Sequence, residues 1–206
     1  MIRRALIAFL FVVSCIAPSI ASTQAAAPSD AASQFIQDVV GQTVTAMTQE
    51  KLTPTEQEAR FRQLFTKYID IKFIGAFVTG RYWRSAPQSE KDQFLKLLED
   101  VTVLSWATRI SAYADFGMEV LGPKETQAQD LFIQTVFTPK EGPAVNVIWR
   151  IAPQDNSFII RDIVIEGASL ALTHRDEYTS VIRNNDGKLA ALNEALTKKI
   201  EQLRQP

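Results

Sequence analysis

Residues 131–165 read LFIQTVFTPKEGPAVNVIWRIAPQDNSFIIRDIVI, and this stretch decides the fold. Three runs rich in β-branched and aromatic residues, Leu131–Thr138, Ala144–Ala152 and Phe158–Ile165, are separated by turn chemistry. Pro139-Lys140-Glu141-Gly142-Pro143 and Pro153-Gln154-Asp155-Asn156 supply the turns, so the runs are expected as hairpin-connected antiparallel strands. In the middle run Val145, Val147, Trp149 and Ile151 share one face, and Asn146 and Arg150 mark the other. In the last run the same alternation sets Ile159, Ile163 and Ile165 on one face and Phe158, Ile160 and Val164 on the other. A strand apolar on both sides is covered on both. A fourth strand, Phe116–Leu121, is expected just upstream, followed by a polar turn over Gly122–Gln127.

Helical signals flank this meander. Asp30 is placed to cap a helix carrying Phe35, Val39, Val40, Val44 and Met47 at near-3.6 spacing. Thr53-Pro54-Thr55-Glu56 combines a hydroxyl cap, a proline at the first helical position and a glutamate three residues after the cap. Asp70 caps an apolar helix that ends near Gly80, and Ser85 opens a long one from Pro87 to about Tyr113. A polar helix begins near Thr173, Asn185-Asp186-Gly187 stops it, and Leu189, Leu192, Leu196, Ile200 and Leu203 define a last amphipathic helix. N-terminal helices, an antiparallel sheet of four or more strands and C-terminal helices make an α+β fold.

The amino terminus stands apart. Arg3 and Arg4 precede an apolar run from Ala5 to Ile16, and Ser19 and Ala21 fit the small residues of a signal-peptide cleavage site. The expected organisation is a signal peptide over 1–21, a small-residue linker over 22–30, and one domain over 31–206. Cys15, preceded by Val12-Val13-Ser14, loosely resembles a lipid-attachment sequence. Cleavage after Ala21 instead removes the chain's one cysteine and leaves 20 basic against 23 acidic residues, a net charge of −3.

The 206 residues are 46% hydrophobic with a formal net charge of −1, which argues against a nucleic-acid partner. One histidine and one cysteine are too few for most metal and redox chemistry, so no cofactor is expected. His174, beside Arg175, Asp176 and Glu177, reads as a surface residue. Ser169 follows a glycine but lacks the second glycine of a nucleophile elbow. Asp162 and Glu166, four residues apart, are the one acid/base candidate, because a carboxylate in an apolar pocket can hold a proton at neutral pH. The competing reading is structural: the pair caps the sheet edge or bonds Arg150 and Arg161. At Arg81-Tyr82-Trp83-Arg84, two arginines bracket two aromatics. They either meet an anionic group at a cavity mouth or form a helix corner with Trp83 plugged into the core.

The segment Tyr68–Ala86, YIDIKFIGAFVTGRYWRSA, resembles the central signature of the MlaC, or toluene-tolerance, family. Ile163–Leu170, IVIEGASL, resembles its second signature, and His174-Arg175-Asp176-Glu177-Tyr178 the segment that follows. Order and spacing agree from about Phe35 to Leu203, with Thr79 and Ala168 where Leu and Val are expected. The family also includes members associated with hopanoid synthesis.

The resemblance implies a periplasmic carrier of phospholipid, with no catalytic residue. It implies an inner-membrane ABC transporter complex bearing an MCE-domain protein and an outer-membrane lipoprotein complex as partners, in support of outer-membrane lipid asymmetry. It also implies a sheet curved around a deep apolar pocket, related to the cone-shaped NTF2-like folds. On that footing Phe73, Phe77, Trp83, Trp106, Val147, Trp149 and Ile165 are candidates to line the lipid tails. Arg81, Arg84 and Arg109 are candidates for the head group or for partner docking. Two other readings stay open: a small-molecule isomerase or hydrolase using Asp162 or Glu166, and an envelope adaptor with no internal ligand.

Overall fold

The computed structural model describes residues 28–48, 51–110, 115–127 and 129–205; the expected signal peptide lies outside them. The elements run α1 (Pro28–Thr48), α2 (Pro54–Tyr68), α3 (Ile71–Thr79), α4 (Arg81–Ser85), α5 (Gln88–Trp106), β1 (Gly117–Gln127), β2 (Asp130–Thr138), β3 (Val145–Gln154), β4 (Ser157–Ile165), β5 (Ala168–Ser169), α6 (Leu170–Arg183) and α7 (Leu189–Leu203). The strands form one open antiparallel sheet in sequence order, so the α+β class read from the sequence holds.

Local chemistry sets most of the boundaries. At α2 the Glu56 amide donates to Thr53 Oγ1 at 3.3 Å and the Thr53 amide to Glu56 Oε2 at 2.8 Å, closing the expected capping box. Asp70 accepts from the Phe73 amide at 3.1 Å and starts α3. Gly80 ends it at φ 59°, ψ −130°, backbone that a residue with a Cβ avoids. The long helix is shorter than expected: it stops at Trp106 rather than Tyr113, where the Arg109 amide bonds the Trp106 carbonyl in a tighter i,i+3 turn. Ser85 closes the five-residue α4 instead of opening α5. The start of α6 comes three residues early, because Ser169 caps it by accepting from the Leu172 amide.

The sheet departs from simple alternation in two places. The expected turn at Gly122–Gln127 is instead part of β1, which continues to Gln127 with register shifts between Val120 and Gly122 and between Pro123 and Glu125. Leu121 and Lys124 are the extra residues of two bulges. Proline is tolerated here because β1 is an edge strand with one partner. In β4 a bulge at Arg161 interrupts the pairing between Arg150↔Asp162 and Ile151↔Ile160. The face assignment made from the sequence is therefore wrong for half of β4. Phe158 and Ile160 join Ile163 and Ile165 on one face, and Ile159 joins Asp162 and Val164 on the other. Beyond β4, Glu166 and Gly167 take φ of 49° and 83° and turn the chain into β5, a strand the sequence reading missed.

Two cores result. Ile133, Ile151 and Ile160 of the sheet pack with Ala32, Ile36 and Val39 of α1 and with Tyr68 of α2. Val78, Phe94, Leu98, Tyr178, Ile182, Leu189, Leu192 and Leu196 form a second core among α3, α5, α6 and α7. Arg62 ties α2 to α5 through Glu99 at 2.8 Å and Asp100 at 2.7 Å, with Glu58 at 3.0 Å on its own helix.

Candidate functional site

The face of the sheet that meets α1 is ordered in rows by strand register. Leu131, Ile151 and Ile160 form one row, and Ile133, Trp149 and Ile163 the next. Val120, Thr135, Val147 and Ile165 form a third, and Met118, Phe137 and Val145 a fourth. The first two rows, and Val120 at the β1 end of the third, belong to or pack against the core under α1. Beyond Trp149 the face changes character. Met118, Phe137, Val145 and Ile165 are large, apolar and only half-buried, and they join neither core. Val147, 6% exposed, is the buried centre of this strip.

One polar pair sits at the boundary. The Trp149 indole N–H donates to Thr135 Oγ1 at 3.0 Å, and the Thr135 hydroxyl donates to the Val147 carbonyl at 3.3 Å. Thr135 is fully buried, so its hydroxyl needs these partners.

The seven residues expected to line the tails therefore fall into separate places. Val147, Trp149 and Ile165 converge on the strip. Phe73 and Phe77 stack on each other at 6.3 Å along α3. Arg161 lies over the Phe73 ring at 4.3 Å and Arg150 at 5.2 Å, while Arg175 lies over Phe77 at 4.9 Å and bonds its carbonyl at 2.8 Å. Trp83, half-buried, packs edge-on against Phe94 at 6.4 Å beside the helical core. Trp106 is half-buried at the end of α5 and joins neither core. Arg81, Arg84 and Arg109 are exposed. Arg81 donates to the Tyr82 hydroxyl at 3.0 Å, which raises its already high pKa. The sequence reading set Val145 on the face of Val147 and Trp149 but named neither it nor Met118 and Phe137 as a site residue. Period-two counting from Thr135 would have reached Phe137.

The two acid/base candidates both hold backbone amides. Asp162 accepts from the amides of Ile163 at 2.8 Å and Ala171 at 3.0 Å and from Ser169 Oγ at 2.5 Å, fastening the first turn of α6 to the sheet. Glu166 is exposed and accepts from the Asn146 amide. The ion pairs with Arg150 or Arg161 that the structural reading allowed do not form, although Arg150 lies opposite Asp162 across the strands. Those arginines bond Asp130, at 2.6 Å and 2.9 Å, and Arg161 also bonds Asp70 at 3.0 Å. This four-residue network anchors the start of α3 beside β4, where the Asp70 amide also bonds the Ile160 carbonyl.

His174 stacks on Tyr178 at 5.3 Å and lies 3.3 Å from Glu177 at the surface. Burial, with Glu177 adding to it, pushes the Tyr178 hydroxyl up to about 12. Among the described residues no group of His, Cys, Asp and Glu is arranged to hold a metal ion, and no helix is long and apolar enough to cross a membrane. Two open concavities, of about 780 Å³ and 510 Å³, flank α2. Charged and polar residues such as Glu58, Arg62, Gln63 and Lys67 dominate their walls, and neither touches an expected tail residue.

Comparison with known proteins agrees with this architecture. A solved structure of a phospholipid-binding protein from Ralstonia solanacearum, in complex with a phospholipid, superposes with a TM-score of 0.76. It is 16% identical, and the match covers 84% of this chain and 99% of that one, so the two share a fold. The family model for the MlaC protein matches residues 37–198. The chain, with its α+β sheet and its signature segments in order, belongs to the MlaC family.

Proposed function

We propose that this chain is a periplasmic carrier that holds phospholipid acyl chains on the sheet strip beyond Trp149. One observation carries the reading: large apolar side chains of the third and fourth rows, Ile165 with Met118, Phe137 and Val145, stay half-exposed on the face that meets α1 and outside both cores. Elsewhere on that face Ile133, Ile151 and Ile160 are buried, and Val120, Leu131, Trp149, Phe158 and Ile163 pack against the core under α1. Membership of the MlaC family and the fold shared with a protein crystallised with phospholipid support it.

The physical case is simple. Each buried methylene is worth about 0.8 kcal/mol, so a sixteen-carbon chain costs on the order of 12 kcal/mol to keep in water. A carrier between membranes needs an apolar strip and no reactive group. Asp162, whose oxygens are both bonded, and the surface-bound Glu166 fit that description better than they fit an isomerase or hydrolase.

In this reading residues 1–21 direct export, and the cargo passes between an inner-membrane ABC transporter complex with an MCE-domain protein and an outer-membrane lipoprotein complex. Exposed Arg81, Arg84 and Arg109 serve the head group or acidic partner surfaces. The test is transfer of labelled phospholipid between donor and acceptor vesicles. The purified chain should accelerate transfer, and Val147→Asp, which puts a charge in the centre of the strip, should lower the rate at least tenfold. Transfer no faster than in protein-free controls would refute the proposal.

A further inference from the structure

We infer that Trp149 is the floor of the acyl site and sets the length of chain the protein accepts. This rests on the carrier reading and adds to it a residue that determines specificity.

Three observations place Trp149 there. Its row partners, Ile133 and Ile163, belong to the core under α1, and Trp149 itself packs against that core. Yet it remains half-buried, so the core does not enclose it completely. The indole is also held in one orientation. Its N–H reaches Thr135, which pairs across the strands with Val147 rather than with Trp149. The N–H edge of the ring is thus turned diagonally toward the third row, between the core under α1 and the half-exposed strip. The buried Thr135 is in turn fixed by the Val147 carbonyl, so the partition does not swing freely.

Strand geometry turns this into a length. Side chains on one face recur every two residues, at about 3.3 Å per residue, so successive rows are about 7 Å apart. The strip from Trp149 to Val145 is about 13 Å long. An extended hydrocarbon with bonds of about 1.5 Å advances about 1.25 Å per carbon, so one row matches five or six methylenes. Removing the indole opens at most one more row before the chain meets Leu131, Ile151 and Ile160.

The experiment measures binding of lysophosphatidylcholines with acyl chains of 10 to 20 carbons to the mature protein, by equilibrium dialysis. Circular dichroism and thermal melts of each variant control for folding. The wild-type protein should show an affinity that rises with chain length and then levels off. Trp149→Ala should move that plateau to longer chains by four to six carbons, while Trp149→Phe, which keeps a ring as the floor, should move it by two at most. Thr135→Val, which preserves volume but frees the indole, should blur the plateau without shifting its centre, and it provides a reading if Trp149→Ala does not fold. Binding with a plateau unchanged in Trp149→Ala, or unblurred in Thr135→Val where the alanine variant does not fold, overturns the assignment of Trp149 and leaves the carrier reading standing. No binding of any chain length by the folded wild-type protein overturns both.

Discussion

Replacing Asp162 separates a structural carboxylate from a catalytic one. The side chain accepts three hydrogen bonds, and two of them, from the Ala171 amide and the Ser169 hydroxyl, fasten α6 to the sheet. Hydrogen bonds to a charged group contribute about 1.5–3 kcal/mol each, and the half-buried setting favours the lower figure. Asp162→Ala should therefore cost about 3 kcal/mol. Asp162→Asn, which keeps one acceptor oxygen, should cost about half of that. In a domain of this size 1 kcal/mol moves the melting temperature by about 2–4 °C. The alanine variant should then melt about 6–12 °C lower at pH 7 when followed by far-ultraviolet circular dichroism. Urea unfolding supplies the free-energy difference, and a cycle with Ser169→Ala should show the two losses to be coupled. An enzyme using this carboxylate would behave in the opposite way, with stability kept and turnover lost. A loss below about 0.5 kcal/mol in Asp162→Ala would refute the structural assignment.

Other consequences are equally direct. Gly80→Ala should destabilise by about 1–3 kcal/mol in urea unfolding, because φ 59°, ψ −130° is strained for alanine and its Cβ would lie 3.2 Å from Arg175 Nη2. The neutral Tyr178 hydroxyl contributes stability that is complete below about pH 10 and is lost as pH rises through its folded value of about 12. Over that window stability should fall by about 1.4 kcal/mol per pH unit, and Tyr178→Phe should abolish the slope. Arg62→Ala should cost about 1–3 kcal/mol in thermal unfolding, since it leaves Glu99 and Asp100 facing each other without a counter-charge. Sequencing of the protein recovered from the periplasm should give Ser22 as its first residue, and a first residue of Cys15 would point to lipid attachment instead.

What the sequence made legible was the chemistry that acts over a few residues. The Thr53–Glu56 capping box, the Asp70 cap, the Gly80 stop and the hairpin at Asp155-Asn156 each depend on neighbours within about four positions, and each lies where it was expected. The bulges at Leu121, Lys124 and Arg161 were not legible. A bulge adds one residue to one strand, and only the partner strand reveals it. Its effect is large, since the Arg161 bulge alone reverses the faces of Phe158 and Ile160.

The same limit governed the site. Phe73 and Trp149 are both large aromatics in apolar runs, and nothing near them in sequence distinguishes their fates. Phe73 is taken up by guanidinium groups of residues 150 and 161, and Trp149 by the hydroxyl of residue 135. Arg150 and Arg161 looked like partners for the acids beside them. They bond Asp130 and Asp70 instead, which the meander and the α3 cap bring across the chain.

The most direct test of the central claim is a mass spectrum of lipid extracted from the protein after native purification from the periplasm. Phospholipid should be present in near-stoichiometric amount, and diminished in Val147→Asp purified in the same way. A wild-type protein that is folded and carries no lipid above the level of an unrelated periplasmic protein would contradict it.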